Sequence, residues 1–434
     1  MRKMRKARTS KKKVQSKRRD NNRNAPASLD DILAAADSAQ QAFDNEKAAD
    51  LYSKAASLLR AGCTAASETR QSLQIRVLEK LGESKVALGD RSGAKADFQE
   101  AITILEKEQA DGSLQYHETR SSLFFYVGQL CMEKEALYAY QQGIASLETC
   151  TKLGEDLCND DMVSDEKDSA TNALHEVRAT LSGGYCTIAE LYLTDLCFEG
   201  NAERECEAWL TRALELRDRD GQPFMDVLQT MASLRLSQQA KRLEGADYIL
   251  RAFEKMKVGC DALASLVGLM ENGSSGPVAG QALELTNMDS VNSLPEFEFR
   301  CQTAKLLLEC ATLVRDSPDL TEIQKAADQQ CVSAAISVLG SLLAQNDEVV
   351  EIWFLAGCAF ALKKPSTADA ATHYLERAME MLKKVREVLE NNAKFCSGDE
   401  LSGVQEELDE NTIQMGDVQS KLDALKSIET VMEE

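Results

Sequence analysis

His117-Glu118 and His175-Glu176 come nearest to a catalytic metal motif in this chain. In a zinc-protease helix a second histidine one turn on joins the first at the ion, and the glutamate between them activates water. Ser121 and Ala179 stand where that second histidine would be, so neither pair can chelate. The third and last histidine is His373, which leaves no basis for a metal cluster or a Ser-His-Asp triad. Asp218-Arg219-Asp220-Gly221 opens like a calcium loop but lacks the closing glutamate, and reads as a turn. No phosphate-binding glycine loop and no nucleophile elbow occurs. The 13 cysteines include no C-x-x-C pair. At helical spacings, as with Cys186, Cys301, Cys310 and Cys358, they read as reduced, small core residues of a cytosolic or nuclear protein. The chemistry-bearing residues therefore predict no enzyme, no cofactor and no metal.

Recognition by an extended surface remains, and the elements that would build it are legible. Glu348 to Met381 places Trp353, Ala356, Gly357 and Phe360 at i, i+3, i+4 and i+7, on one helical face. Lys363, Lys364, Pro365 and Ser366 break that helix, and Ala371, Leu375 and Ala378 mark a second. Small residues at fixed points let two helices approach closely while the rings fill the space beside them. The pattern resembles a tetratricopeptide repeat, W-x-x-L-G-x-x-Y followed by A, a large residue and A. A lone hairpin cannot bury its apolar face, so further copies are expected.

With 434 residues, 44% hydrophobic, 6 Pro and abundant helix formers, the chain has ample material for a long helical solenoid or two to three domains. The net charge of −21 hides a split. Residues 1–24 hold twelve Lys or Arg against Asp20, which is +11 and leaves −32 for the rest. An acidic body of that size repels nucleic acid and attracts basic partners. The longest apolar run, Ile352–Leu362, falls far short of the ~20 residues needed to cross a bilayer, so no membrane anchor is expected.

In chain order, residues 1–27 form a basic leader without the apolar region of a secretory signal or the apolar face of a mitochondrial presequence. Lys11, Lys12, Lys13, Lys17, Arg18 and Arg19 read as a nuclear-import signal, or as a phosphate-binding tail, on a disordered segment. Ser28 is an N-cap candidate with Asp30 and Asp31 behind it. Residues 28–270 then carry five repeats. Ala36 with Ala48, Tyr52 and Ala55 marks the first, and Leu78, Leu81 and Gly82 with Ala94, Phe98 and Ala101 the second. Gly128 with Ala136 and Tyr140 marks a shortened third. Residues 154–168 read as an acidic loop. Tyr185 and Ala189 with Cys206, Leu210 and Ala213 mark the fourth repeat, at about 170–217, and Ala246, Leu250 and Phe253 close the fifth. Residues 271–295, rich in Gly, Ser and Pro, read as a loop or linker. Residues 296–398 continue the solenoid, and 399–434, net −9, form an acidic tail or a capping helix. The fold class is thus all-α, a right-handed superhelix of helix hairpins.

Such a stack has a concave groove lined by the first helix of each pair. By repeat register Asp37, Glu79, Glu83, Glu190, Arg235, Gln238 and Glu351 face it; five of the seven are acidic, which suits a Lys/Arg-rich ligand. Phe354 and Leu355 either take an apolar anchor or belong to the core.

Three segments, Thr230–Gln239, Leu294–Glu309 and Glu348–Phe360, resemble the eukaryotic tetratricopeptide chaperones dedicated to large-subunit ribosomal protein four. The resemblance spans roughly residues 28–390. It implies an acidic superhelix that holds the long basic loop of the newly made ribosomal protein, keeps it soluble and accompanies it from cytoplasm to nucleus for assembly. A nuclear import receptor would then read the basic tail, with no direct nucleic-acid contact by the folded body. The alternatives are a scaffold for other protein partners, a heat-shock co-chaperone adaptor and an RNA-binding factor that uses the leader. The adaptor needs Lys, Asn and Arg converging in the groove, which the acidic bias opposes.

Overall fold

The structure is a computed structural model that describes residues 28–63, 69–108, 112–159, 164–266, 285–315, 322–364 and 367–433. The basic tail and its six import-signal residues lie outside the described residues, as do residues 271–284 of the expected linker. Among the described residues every regular element is helical. Two compact units divide the chain, Met1–Phe198 and Glu199–Glu434.

The described residues of unit 1 form seven helices: α1 (Leu29–Gln41), α2 (Asn45–Arg60), α3 (Arg70–Ala87), α4 (Arg91–Glu108), α5 (Leu114–Leu130), α6 (Glu133–Asn159) and α7 (Ser164–Leu193). Each packs on its neighbours in sequence, α1 on α2, α3 on α4, α5 on α6 and α6 on α7. The chain enters α1 through a capping box. Ser28 Oγ accepts from Asp31 N–H, and Asp31 Oδ2 accepts from Ser28 N–H, both at 3.2 Å. Hairpins α3–α4 and α5–α6 close where glycine faces a ring. A Cβ at Gly82 would stand 2.5 Å from the Phe98 ring, and one at Gly128 2.6 Å from Tyr140, so only glycine allows these approaches. Around the first contact Leu78, Ala94, Phe98, Ala101 and Leu123 are fully buried.

Unit 2 holds α8 (Ala202–Glu215), α9 (Met225–Ser237), a 3₁₀ turn (Arg242–Glu244), α10 (Gly245–Leu266), α11 (Leu285–Asn292), α12 (Phe297–Arg315), α13 (Glu322–Gln345), α14 (Val350–Leu362), α15 (Ala368–Ala393) and α16 (Asp399–Glu433). Hairpins α9–α10, α12–α13 and α14–α15 stack, α10 lying on α13 and α13 on α14. Gly357 repeats the unit 1 device, since a Cβ there would meet Leu375 at 2.6 Å. Phe360 stacks on Tyr374 with ring centroids 5.2 Å apart, and Trp353 Nε1 donates to Asp347 O at 2.7 Å. Arg300 is 2% exposed yet meets only neutral acceptors: Ser341 Oγ at 2.8 Å, Pro295 O at 3.1 Å and Gln345 Oε1. Burial without a carboxylate partner pulls its pKa below the ordinary guanidinium value. Val418, Leu422 and Leu425 of α16 are buried in the core that α14 and α15 share, and Asn411 Nδ2 donates to Leu382 O of α15 at 3.1 Å.

Three sequence expectations need correction. The acidic segment 154–168 is mostly helix, because α6 runs to Asn159 and α7 begins at Ser164. Glu155 is held there by Arg178 of α7 at 2.7 Å, a contact that the local acidity does not reveal. The two helices assigned to the fourth repeat, α7 and α8, fall in different units; α7 packs on α6 and α8 on α9. Residues 285–292 of the expected linker form α11, which packs on α10. There Gly259 lets the Ser290 carbonyl come within 2.6 Å of where a Cβ would be.

Candidate functional site

Asp37, Glu79 and Glu83 are brought together in unit 1. Glu79 and Glu83 are four residues apart on α3 and so share a face. Asp37 lies on α1, and both helices are the first of their hairpins. Two tyrosines tie the face together. Tyr52 Oη, reaching from α2, donates to Asp37 Oδ1 at 2.6 Å, with Gln40 Oε1 a second acceptor at 3.0 Å. Gln40 Nε2 donates across the hairpins to Glu83 Oε2 at 3.0 Å, and Tyr126 Oη of α5 donates to Glu83 Oε1 at 2.9 Å. Lys80 Nζ completes the shell of Glu83 at 2.8 Å. Tyr126 is fixed from behind by Phe98, stacked at 4.7 Å between centroids and 5° between planes.

The electrostatics follow from this half-buried setting. Burial first, then the neighbouring Glu83 charge, pushes the Glu79 carboxyl above the ordinary carboxylate range, and Lys80 offsets part of that. Burial and the nearby carboxylates push both tyrosine hydroxyls far up, so each stays a donor. Carboxylates that are only partly hydrated and fixed by neutral donors attract a cation more strongly than fully exposed ones do. Lys80 balances one of the three, and Arg76 of α3 also acts on the Tyr52 hydroxyl that Asp37 holds.

The other expected groove residues are placed differently. Glu190 is exposed on α7. Arg235 and Gln238, expected to face a ligand, are 7% and 6% exposed. Arg235 donates to Glu207 Oε1 at 2.9 Å and to Gln238 Oε1 at 2.6 Å, with Glu244 3.0 Å from its Nε, while Gln238 Nε2 donates to Glu203 Oε1 at 2.7 Å. The 3₁₀ turn after α9 brings Glu244 back beside Arg235, and α8 supplies Glu203 and Glu207. These side chains therefore tie α8 to α9. Glu351 is half exposed and paired with Lys305 of α12 at 2.8 Å. Phe354 and Leu355 are half-buried against the unit 2 core.

Gln40, Tyr52 and Tyr126 are the members of the face that the sequence reading missed as polar partners. A signal exists in retrospect. Gln40, Glu83 and Tyr126 are each 43 residues apart, the same position on successive first helices. Among the described residues no His, Cys, Asp and Glu group is arranged to hold a metal ion, and no helix is long and apolar enough to cross a membrane.

No known family profile matches the chain. It is 26% identical over 321 residues to a Schizosaccharomyces pombe protein described as a probable assembly chaperone of rpl4, across 74% of this chain and 71% of that one. A solved structure of an assembly chaperone of RpL4 (Acl4), residues 1–338, superposes with a TM-score of 0.51 at 22% identity. That match covers 76% of this chain and 95% of the other. The resemblance read from the three sequence segments is thus borne out, and so is the all-helical fold.

Proposed function

We propose that this chain is an assembly chaperone of large-subunit ribosomal protein four and holds a basic extension of that newly made client on the α1–α3–α5 face. The observation that carries the reading is the convergence of Asp37, Glu79 and Glu83 on that face, in a chain that is strongly acidic beyond residue 24. The similarity to proteins described as assembly chaperones of rpl4 supplies the client. Loops shaped to lie against RNA are positive, and free in solution they aggregate with stray nucleic acid. Half-buried carboxylates screen such charges without a covalent step, and pairing of this kind weakens as salt rises. On this reading the −32 body excludes RNA while the +11 tail recruits an import receptor, so chaperone and client pass together from cytoplasm to nucleus.

The test is binding of the purified client's basic loop to the full chain across a salt series. Affinity is expected to fall steeply with salt, and Glu79→Lys with Glu83→Lys to weaken it at least about tenfold at low salt. Affinity that resists both manipulations would overturn the electrostatic reading. A reporter carrying residues 1–27 should concentrate in nuclei; one that stays diffuse removes the import assignment and leaves client binding untouched.

A further inference from the structure

The turns that join first to second helices in unit 1 carry exposed apolar side chains. Phe43 is 86% exposed, Leu88 45% and Met132 72%. They lie three, five and six residues past Gln40, Glu83 and Tyr126, whose hydrogen bonds hold the ends of α1, α3 and α5 side by side. The three turns therefore share one edge of the unit.

Phe43 is the most telling of them. Its φ is 57°, in the left-handed region where Gly89 sits at the matching turn. A bulky residue is disfavoured there and glycine is not. Neither burial nor backbone preference accounts for a phenyl ring at this position.

Charges of both signs rim the row, with Lys47, Arg91 and Lys134 among the acids. Asp44, Asp90 and Glu133 follow the three apolar residues within two positions. Helices α1 and α5 end at this edge without a basic residue in the last turn, so their carbonyl ends keep their partial negative charge. Lys85, in the last turn of α3, is engaged by Asp97 at 2.5 Å. Arg91 donates to the Gln129 carbonyl at 3.1 Å and keeps its charge, while Lys95 is paired with Glu135 at 2.7 Å. An apolar row beside the Asp37, Glu79 and Glu83 carboxylates is complementary to a chain in which large apolar residues alternate with Lys or Arg.

We propose that this edge binds a basic-amphipathic protein segment, its apolar side chains against Phe43, Leu88 and Met132 and its cations toward the adjoining Asp37, Glu79 and Glu83 face. The inference rests on the reading that the chain holds a basic client, and it adds where the client's apolar residues go.

Two fluorescent peptides of equal charge and length test it on the full chain by anisotropy, one alternating leucine with lysine and spaced glycines, the other with serine in place of leucine. The unaltered chain should bind the leucine peptide about tenfold tighter, the worth of one or two buried apolar side chains. Phe43→Gly combined with Met132→Gln should abolish that gap and leave serine-peptide affinity unchanged; Phe43→Gly suits the local backbone, so the variant folds. A gap absent in the unaltered chain, or one that survives in the variant, overturns the proposal. Dimerisation of the unaltered chain on sedimentation that the variant loses would also overturn it, by assigning the edge to a second copy. Unchanged binding of both peptides after reversing Glu79 and Glu83, with the gap intact, would overturn the basic-client reading and leave the apolar edge standing.

Discussion

Replacing Glu83 with alanine should destabilise unit 1 by about 2–3 kcal/mol, and replacing it with glutamine by about half of that. Three donors converge on this carboxylate: Gln40 Nε2 at 3.0 Å, Tyr126 Oη at 2.9 Å and Lys80 Nζ at 2.8 Å. The lysine pair contributes least. The Lys80 side chain is 38% exposed and that of Glu83 22%, so water screens the pair to roughly 0.5 kcal/mol. The two neutral donors matter more, because truncation leaves the Gln40 amide and the Tyr126 hydroxyl half-buried and without this acceptor. Each should then cost about 1 kcal/mol, discounted from the fully buried figure for partial access of water. Glutamine keeps an acceptor for one donor and turns an N–H₂ toward the other, hence the smaller loss. Urea unfolding combined with hydrogen exchange in α1, α3 and α5 measures the effect where it arises, which matters in a chain of two units. A double-mutant cycle sharpens the test. Gln40→Ala and Tyr126→Phe act on the same carboxylate from different helices, so they should couple while Glu83 is present and become additive once it is alanine. A loss below about 0.5 kcal/mol for Glu83→Ala, or coupling that persists without the carboxylate, would refute the claim that this residue ties three hairpins together.

Two further outcomes follow from the packing. Gly82→Ala should destabilise by about 1 kcal/mol, since overpacking the buried Phe98 ring outweighs the gain in helix propensity, whereas Gly416→Ala on α16, with open space around it, should stabilise by up to about 1 kcal/mol; equal signs in thermal melts would contradict the packing argument. Burial raises the thiols of Cys150 and Cys260 from 9.0 to about 11 and that of Cys310 to about 12, so the folded chain keeps protons that the unfolded chain releases. Their stabilisation is complete below pH 9 and is lost as pH rises from there through about 11, or about 12 for Cys310, at about 1.4 kcal/mol per unit for a fully shifted thiol. Cys260→Ala should flatten the fall in urea midpoint over that window, and an unchanged slope would exclude its thiol as a cause.

Local spacing announced the hairpins because they depend on local chemistry. Gly82 against Phe98 and Gly357 against Leu375 are each a small residue and a large one separated by a short turn, and both contacts form where the pattern puts them. What escaped the sequence reading depends on partners far along the chain. Arg235 near the end of α9 and Gln238 just past it occupy groove-facing register, yet Glu203 and Glu207 of α8 consume them. No periodicity within α9 carries that information. Ala189 and Ala213 each mark a well-formed helix, but which helix covers which was decided by α6, whose 27 residues give α7 a long surface to pack on.

The stretched repeats, puzzling in the sequence, have a physical reason. The small residues that open successive second helices, Ala48, Ala94 and Ala136, are spaced unevenly, by 46 and then 42 residues, whereas Gln40, Glu83 and Tyr126 on the first helices keep an even 43. The unevenness is absorbed at the ends of the first helices and in the turns that follow. Helix α1 stops one residue after Gln40, while α3 and α5 each continue four residues past Glu83 and Tyr126. A second helix needs only a small residue opposite a large one, a condition that survives a shift along its own axis. A hydrogen bond from Gln40 to Glu83 does not survive a shift of one residue, because the donor then turns about 100° away. The face on which Asp37, Glu79 and Glu83 meet is therefore the part of unit 1 whose register the side chains hold, and the first-helix ends, with the turns that carry Phe43, Leu88 and Met132, take up the difference.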